Sequence, residues 1–152
     1  MTRREKLSLL SGKERELLRL AIRGHMDKQV ASEMGISVVT VRFYWHKIEG
    51  KVGARTRLQA VYRLCCDGHL TPKDGPEEER IQRLSEKERH MLCLAVAKGY
   101  KDEELVKELG ISLATVRHYW GRVKQKVKAR SRIQAVYLLC CDGQLEEKKE
   151  GS

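Results

Sequence analysis

Two stretches of the chain place an arginine among apolar side chains at helical spacing, on the side opposite a regular apolar stripe. In the first stretch this outward set consists of Val38, Val39, Arg42, Phe43 and His46. An arginine can reach a phosphate or a guanine edge, and valine or phenyl groups can meet thymine methyl groups. The chemistry therefore suits a nucleic-acid groove. The alternative is a neighbouring domain that covers the apolar side chains.

The second stretch repeats the first. Its outward set consists of Leu113, Ala114, Arg117, His118 and Gly121. The apolar stripes on the opposite sides are Val41, Trp45, Ile48 and Val52, and then Val116, Trp120, Val123 and Val127. Residues 10–70 and 84–145 align with one single-residue gap and are identical at more than half of the aligned positions. The chain therefore uses one architecture twice.

Local signals predict four helices in each repeat. A serine followed three residues later by a glutamate has the spacing of a capping box, and it marks the start of both first helices. The pairs are Ser11 with Glu14 and Ser85 with Glu88. Glycines then supply a left-handed exit from the first helix, at Gly24 and Gly99.

A short second helix and a longer third helix form the centre of each repeat. The second helices are predicted at Asp27–Met34 and Asp102–Leu109, with a glycine closing each. One apolar residue later, Ser37 and Ser112 are placed to cap the third helix. Two helices joined by a three-residue turn that contains glycine make a helix-turn-helix. The predicted fold is all-α, with two tandem four-helix units.

The fourth helices, about residues 56–67 and 131–142, are apolar on more than one side. One apolar side serves the unit's own core, and the surplus predicts a second buried contact. That contact joins either the two repeats of one chain, as an intramolecular pseudo-dimer, or two chains, as a homodimer; the alternative is a helix sunk deep in a small core. The predicted pairing residues are Leu58, Val61, Tyr62, Cys65, Ile133, Val136, Tyr137 and Cys140.

Charge and composition limit the class of partner. The formal net charge is +10, and both repeats are basic while the linker and tail are not. This favours a polyanion, and nucleic acid over a membrane because no strongly apolar run accompanies the charge. The predicted boundaries are a first domain at 1–70, a Pro- and Gly-containing linker at 71–83, a second domain at 84–146 and a tail at 147–152. Fully extended, such a linker spans about 45 Å, enough for half-sites about 34 Å apart.

The five cysteines lack paired metal-ligand spacing and are odd in number, so neither a metal site nor a disulfide framework is expected. Cys65 and Cys140 are interpreted as buried thiols of a reducing compartment. With no secretion signal and no membrane-spanning run, a cytoplasmic location follows. No cofactor is expected. An enzyme is the least favoured class, because no nucleophile with a base and no phosphate-binding glycine loop occurs.

The motifs resemble the LuxR-type (GerE-type) helix-turn-helix domain of bacterial transcription regulators, over nearly all of both repeats. The first copy carries Leu10-Ser11-x-x-Glu14, Ile36-Ser37-x-x-Thr40-Val41-Arg42, Lys51-Val52-Gly53-Ala54 and Arg57-x-Gln59-Ala60-Val61. Most of these return in the second copy, through Thr115-Val116-Arg117 and Arg132-x-Gln134-Ala135-Val136.

The resemblance implies double-stranded DNA as the partner. In that family the third helix enters the major groove. The matching positions of this chain, which the resemblance implies contact bases, are Arg42, Phe43 and His46, and Arg117, His118 and Gly121. It also implies pairing through the fourth helix. Basic residues near the third helices are the candidates for phosphate contacts, which position a domain without reading sequence: Lys47, Lys51, Arg55, Lys124, Lys126, Lys128 and Arg130.

The chain departs from the family pattern at several positions. Tyr44 and Tyr119 replace the family's usual histidine. The second unit's short helix opens with three acids at 102–104, which repel phosphate, and Gly121 replaces a base-reading side chain. We therefore expect the first unit to be the stronger DNA reader. The competing interpretation is a protein-binding adaptor or antagonist of another transcription protein or polymerase. Glu14 with Arg57, and Glu88 with Arg132, are expected to form structural ion pairs within each unit.

Overall fold

The computed structural model describes residues 10–75 and 81–145, and within these ranges it contains eight α-helices and no strand. The helices of the first unit are α1 (Gly12–Ile22), α2 (Asp27–Met34), α3 (Val38–Val52) and α4 (Arg57–Cys66). Those of the second are α5 (Glu86–Ala97), α6 (Asp102–Leu109), α7 (Leu113–Val127) and α8 (Arg132–Cys141). The predicted all-α fold with four helices per repeat is confirmed. Residues 1–9, 76–80 and 146–152, including the predicted tail, lie outside the described residues.

Both first helices begin with the predicted capping box. The Ser11 hydroxyl accepts a hydrogen bond from the Glu14 amide at 3.1 Å, and the Glu14 carboxylate accepts one from the Ser11 amide at 2.7 Å. The reciprocal distances for Ser85 and Glu88 are 3.2 and 2.9 Å. Because each box satisfies two amides that a helix start leaves unpaired, it fixes where the chain turns into the unit.

The turns before α3 and α7 follow the predicted chemistry. Gly35 ends α2 in a left-handed conformation (φ +67°), and Ser37 then caps α3 by accepting a hydrogen bond from the Thr40 amide at 3.1 Å. The second unit repeats this with Gly110 (φ +64°) and Ser112. A residue with a Cβ is strained at these angles, so glycine holds the orientation of each third helix against the second.

The predicted apolar stripes of the third helices lie in the core. In α3 they are buried at Val41, Trp45, Ile48 and Val52, and in α7 at Val116, Trp120, Val123 and Val127. The first helices supply the facing apolar groups, including Leu17 and Ile22 in α1. Each third helix is therefore anchored along one side, which leaves its opposite side to the surface.

The two units pack on each other through their fourth helices, and α4 with α8 forms the largest helix-to-helix contact of the described chain. Cys65 and Cys140 meet in this contact. The hydrogen bond with Cys140, followed by burial, raises the pKa of Cys65 and keeps it a thiol. The surplus apolar side of the fourth helix thus faces the other repeat of the same chain.

Glutamines and glycines complete the inter-unit contact reciprocally. Gln59 at the start of α4 donates a hydrogen bond to the Ala97 carbonyl at the end of α5, at 3.0 Å. A Cβ on Gly99 would lie 2.6 Å from the Gln59 Oε1 atom, and a Cβ on Gly24 would lie 2.6 Å from the Gln134 Oε1 atom. Each unit therefore presents a bare glycine to a glutamine of the other. The start of the linker joins this arrangement, because the Tyr137 hydroxyl donates to the Thr71 carbonyl at 2.5 Å.

We predict that Gly99→Ala destabilises the chain more than Gly110→Ala does. Both glycines have left-handed backbones, but the added Cβ meets nothing within 4 Å at Gly110 and meets Gln59 at Gly99. The control should cost about 1 kcal/mol of unfolding free energy, from backbone strain alone. Gly99→Ala should cost about 1 kcal/mol more, because it displaces the hydrogen bonds of Gln59. Denaturant unfolding measures both, and equal costs would show that the units do not dock in solution.

Candidate nucleic-acid interface

The outward side of α3 exposes large apolar side chains beside basic ones. Val39 is 73% exposed and Phe43 is 54% exposed. The Lys47 ammonium lies over the Phe43 ring, 4.9 Å from its centroid, a cation–π distance. Arg42 and His46 are exposed on the same side. The residues predicted to face bases in the first unit are thus brought together on one surface, except for Val38.

Val38 is half-buried and packs against the core rather than pointing outward, and Leu113, its counterpart in α7, is half-buried too. Both stand at the first position of their helix, where the chain is still close to the preceding turn. The outward prediction is therefore wrong for Val38. Ala114, Arg117 and His118 are exposed, and Gly121 is half-exposed.

Two of the predicted phosphate contacts turn inward instead. The Lys51 ammonium lies 2.5 Å from the buried Glu14 carboxylate, and the Lys126 ammonium lies 2.6 Å from the buried Glu88 carboxylate. A carboxylate inside the unit needs a charged partner, and these lysines on the last turns of α3 and α7 reach it. Lys51 and Lys126 therefore hold the third helix to the first, and these ion pairs favour a structural role over the predicted contact with phosphate.

The predicted ion pairs of Arg57 with Glu14 and of Arg132 with Glu88 are wrong. The Arg57 guanidinium binds Asp27 at 2.9 Å and lies over the Trp45 ring at 5.1 Å from its centroid. The Arg132 guanidinium does the same with Asp102 at 2.9 Å and the Trp120 ring at 4.8 Å. Each arginine ties the start of the second helix to the third and fourth helices, so its role is to orient the helix-turn-helix.

Burial alone would raise the pKa of Glu14. The hydrogen bonds from Lys51 and from the Ser11 amide and hydroxyl oppose it, and the resulting pKa lies below the usual value. The pKa of Glu88 is lowered by the corresponding bonds from Lys126 and Ser85, also against the effect of burial. Both carboxylates are therefore charged at neutral pH.

The remaining basic candidates differ between the units. Arg55 forms an ion pair with Glu104 of the second unit at 3.2 Å. Lys47 and Arg130 are exposed, and Lys124 is half-buried. Lys128 is exposed and adopts a left-handed backbone (φ +57°) where the first unit has Gly53 (φ +75°). A lysine there costs about 1 kcal/mol of backbone strain.

Three positions with a role in the arrangement escaped the sequence predictions. Gln59 and Gln134 belong to a segment that recurs in both repeats, but recurrence alone does not distinguish an inter-unit contact from a core position. Arg122 is exposed on α7 and stands at the position that Lys47 occupies on α3. Alignment of the two repeats was the signal that would have found it.

Within residues 10–75 and 81–145, no group of three or more His, Cys, Asp or Glu side chains is placed to hold a metal ion. No helix in that part of the chain has the length and apolar character needed to cross a membrane.

The fold and the exposed third-helix faces define a tandem helix-turn-helix protein. The model of the luxR family of bacterial regulatory proteins matches the chain twice, at residues 8–64 and 82–139. The chain therefore belongs to the LuxR family, whose members are DNA-binding transcription regulators.

Two curated relatives resemble single units of the chain. The spore germination protein GerE of Bacillus subtilis is 39% identical over 62 residues, which cover 41% of this chain and 84% of GerE. The HTH-type transcriptional activator RamA of Corynebacterium glutamicum is 40% identical over 52 residues, which cover 34% of this chain but only 18% of RamA. No solved structure matches the chain significantly.

We predict that Glu14→Gln keeps the capping box but loses the ion pair with Lys51. At pH 7 the free energy of unfolding of the variant should be about 2 kcal/mol lower than that of the parent chain, which is the contribution of a hydrogen bond to a charged group. Because the folded-state pKa of Glu14 is lowered, its contribution is present above the unfolded pKa near 4.5 and is lost as the pH falls through the folded pKa. The difference should therefore shrink below pH 4.5. Denaturant unfolding at pH 7 and at acid pH measures it, and a gap that stays constant would contradict the assignment.

Proposed function

We propose that the chain is a sequence-specific regulator of transcription that binds double-stranded DNA with α3 and α7 in the major groove. The observation that carries this proposal is the exposed face of α3, where Arg42, Phe43 and His46 lie together on a helix anchored by its buried stripe. Such a helix presents side chains to base edges without needing to rearrange. A regulator of this kind acts in the bacterial cytoplasm, on the nucleoid.

Charge supports DNA as the ligand of these faces. The formal net charge of +10 favours a polyanion. Because Lys51 and Lys126 bind buried glutamates, the candidate phosphate contacts are Lys47, Arg55, Arg122, Lys124, Lys128 and Arg130. Arg55 is exposed although it is paired with Glu104, and a phosphate can compete for a surface guanidinium because exposed ion pairs are weak.

We propose that the fourth helices pair the two units within one chain. The packing of α4 on α8 and the glutamine–glycine contacts support this. The pairing residues are proposed to be those named from the sequence. Val61, Val136, Tyr62 and Tyr137 are buried, and Leu58, Ile133, Cys65 and Cys140 are half-buried. An intramolecular pair needs no second chain to hold both third helices.

The second candidate is a protein-binding adaptor, favoured by one observation: Val39 and Phe43 expose apolar surface. An apolar face of this kind also binds proteins. The two functions differ in their response to salt, because DNA affinity falls steeply with salt as counterions are released. A stable complex with another transcription protein, with no affinity for DNA, would support the adaptor.

We predict that Arg42→Ala weakens DNA binding more than Arg117→Ala does. Loss of an arginine that contacts a base costs about 1–3 kcal/mol, about five- to 150-fold in affinity. The loss should be smaller in the second unit, where Glu103 and Glu104 stand at the positions of Lys28 and Gln29 and repel phosphate. Titration of the chain against its own upstream DNA at several salt concentrations measures both.

Lys13→Ala removes one positive charge from the exposed start of α1, outside the predicted DNA contacts, and serves as the control. It should change affinity by about twofold or less, as expected for a charge outside the interface. Equal losses for Arg42→Ala and Arg117→Ala would defeat the asymmetry, and no loss for either would defeat the groove-binding role.

A further inference from the structure

The contacts between the units are reciprocal, which is the mark of a two-fold arrangement. Gly24 faces Gln134, and the corresponding Gly99 faces Gln59; a Cβ added to either glycine would lie the same 2.6 Å from the glutamine Oε1 atom. Helix α1 packs on α8, and correspondingly α4 packs on α5. In a two-fold contact residue i meets j and j meets i, whereas a head-to-tail contact would pair different surfaces.

The contact of Cys65 shows where the two-fold axis of this arrangement lies. It meets Cys140, the residue at its own position in the other unit. A residue that contacts its own counterpart lies on or beside the two-fold axis. The axis therefore passes between α4 and α8, and it relates α3 to α7 by a half-turn. Two readers related in this way meet two DNA half-sites of opposite direction, because operator symmetry mirrors protein symmetry.

The outward faces of α3 and α7 carry different side chains and therefore do not share this two-fold symmetry. Helix α3 exposes Val39 and Phe43, with Lys47 over the ring. Helix α7 carries Ala114, His118 and Arg122 at the same positions. A phenyl and an isopropyl group complement the thymine methyl, the one apolar group on the major-groove edges, whereas the imidazole of His118, at the position of Phe43, pairs with base acceptors. The two faces therefore suit different bases.

The charges at the starts of α2 and α6 also differ between the two units. Glu104 accepts from the Lys101 amide at 3.1 Å and also binds Arg55 across the unit boundary. Its counterpart in the first unit is the neutral Gln29, which caps α2 through the Met26 amide at 2.9 Å. The acidic start of α6 thus gives the second unit a negative charge that the first unit lacks at this position, and Arg55 of the first unit offsets part of it.

We infer that one chain reads an imperfect inverted repeat in a single orientation. One half-site places thymine methyl groups against Val39 and Phe43, and the other half-site offers polar base edges to Arg117 and His118. This inference rests on the proposed DNA-binding function and adds to it the symmetry and the inequality of the half-sites. A covalent pair of unlike readers has a direction on DNA that a pair of identical readers lacks.

Selection of random duplex DNA with the full chain tests the inference first. The expected product is an inverted repeat with two unlike halves, A and B. Affinities are then measured for the selected A–B duplex and for the two perfect palindromes A–A and B–B. Both palindromes should bind about tenfold more weakly or worse. A selected direct repeat, a selected perfect palindrome, or a palindrome that binds as tightly as A–B would overturn the inference. If no sequence is enriched at all, the proposed function itself fails.

Replacement of thymine by deoxyuridine removes only the methyl group and tests the assignment of the halves. In half A each replacement facing Val39 and Phe43 should weaken binding about three- to fivefold, the effect of losing one buried methyl. In half B the change should be less than about twofold. The double variant Val39→Ala with Phe43→His gives α3 the side chains of α7, and both positions are exposed, so the fold is retained. It should lose the sensitivity to deoxyuridine.

The matched control, Ala114→Val with His118→Phe, should instead make both halves of a duplex with two A halves sensitive to deoxyuridine, whereas the parent chain senses only the half that faces α3. Equal sensitivity of both halves in the parent chain, or sensitivity that survives Val39→Ala with Phe43→His, would overturn the assignment of Val39 and Phe43.

Discussion

The packing of α4 on α8 is the contact on which the arrangement of the whole chain depends. Each unit orders its own third helix through a capping box, a left-handed glycine and a buried stripe, but none of these relates α3 to α7. The contact between the fourth helices, together with the packing of α1 on α8 and of α4 on α5, fixes the two outward faces with respect to each other. Because the linker keeps the units at a high effective concentration, a modest interface suffices to hold them.

A comparison of the two units separates the residues that hold each third helix in place from those that form its exposed face. The residues that hold each third helix recur in both copies with the same partners: Lys51 and Lys126 on buried glutamates, and Arg57 and Arg132 on aspartates and tryptophans. Many of the residues that differ are exposed, as in Phe43 against His118, whereas a buried difference such as Ile48 against Val123 keeps an apolar side chain. A duplicated unit can therefore change what it contacts without changing how it folds, since surface substitutions cost little stability.

Local signals let the sequence predict the helices well. The serine–glutamate pairs, the glycines at 35 and 110 and the period of the apolar stripes each act within a few residues, and every one is found as predicted. Contacts between residues far apart along the chain were harder to predict. Lys51 and Glu14 are 37 positions apart, and no period shows which of several basic residues turns inward. Periodicity also misplaced Val38, because the first turn of a helix packs against the preceding turn as well as the core.

The inter-unit contact marks the limit of prediction from the sequence. The surplus apolar side of the fourth helix indicated a second buried contact, but the same pattern fits a contact within one chain and one between two chains. The sequence did not indicate that Gln59 and Gly99 lie in this contact, because a glutamine in a helix and a glycine after a helix are ordinary features. Their complementarity becomes visible only when the two units are placed together.

A single chain is proposed to supply both of the third helices that bind one DNA duplex. The mass of the complex between the full chain and one duplex with both half-sites tests it most directly, by sedimentation or native mass spectrometry at protein concentrations above saturation. The account predicts one chain per duplex, with protection of both half-sites. Two chains on the same duplex, each protecting one half, would contradict it and would mean that the units of one chain do not bind DNA together.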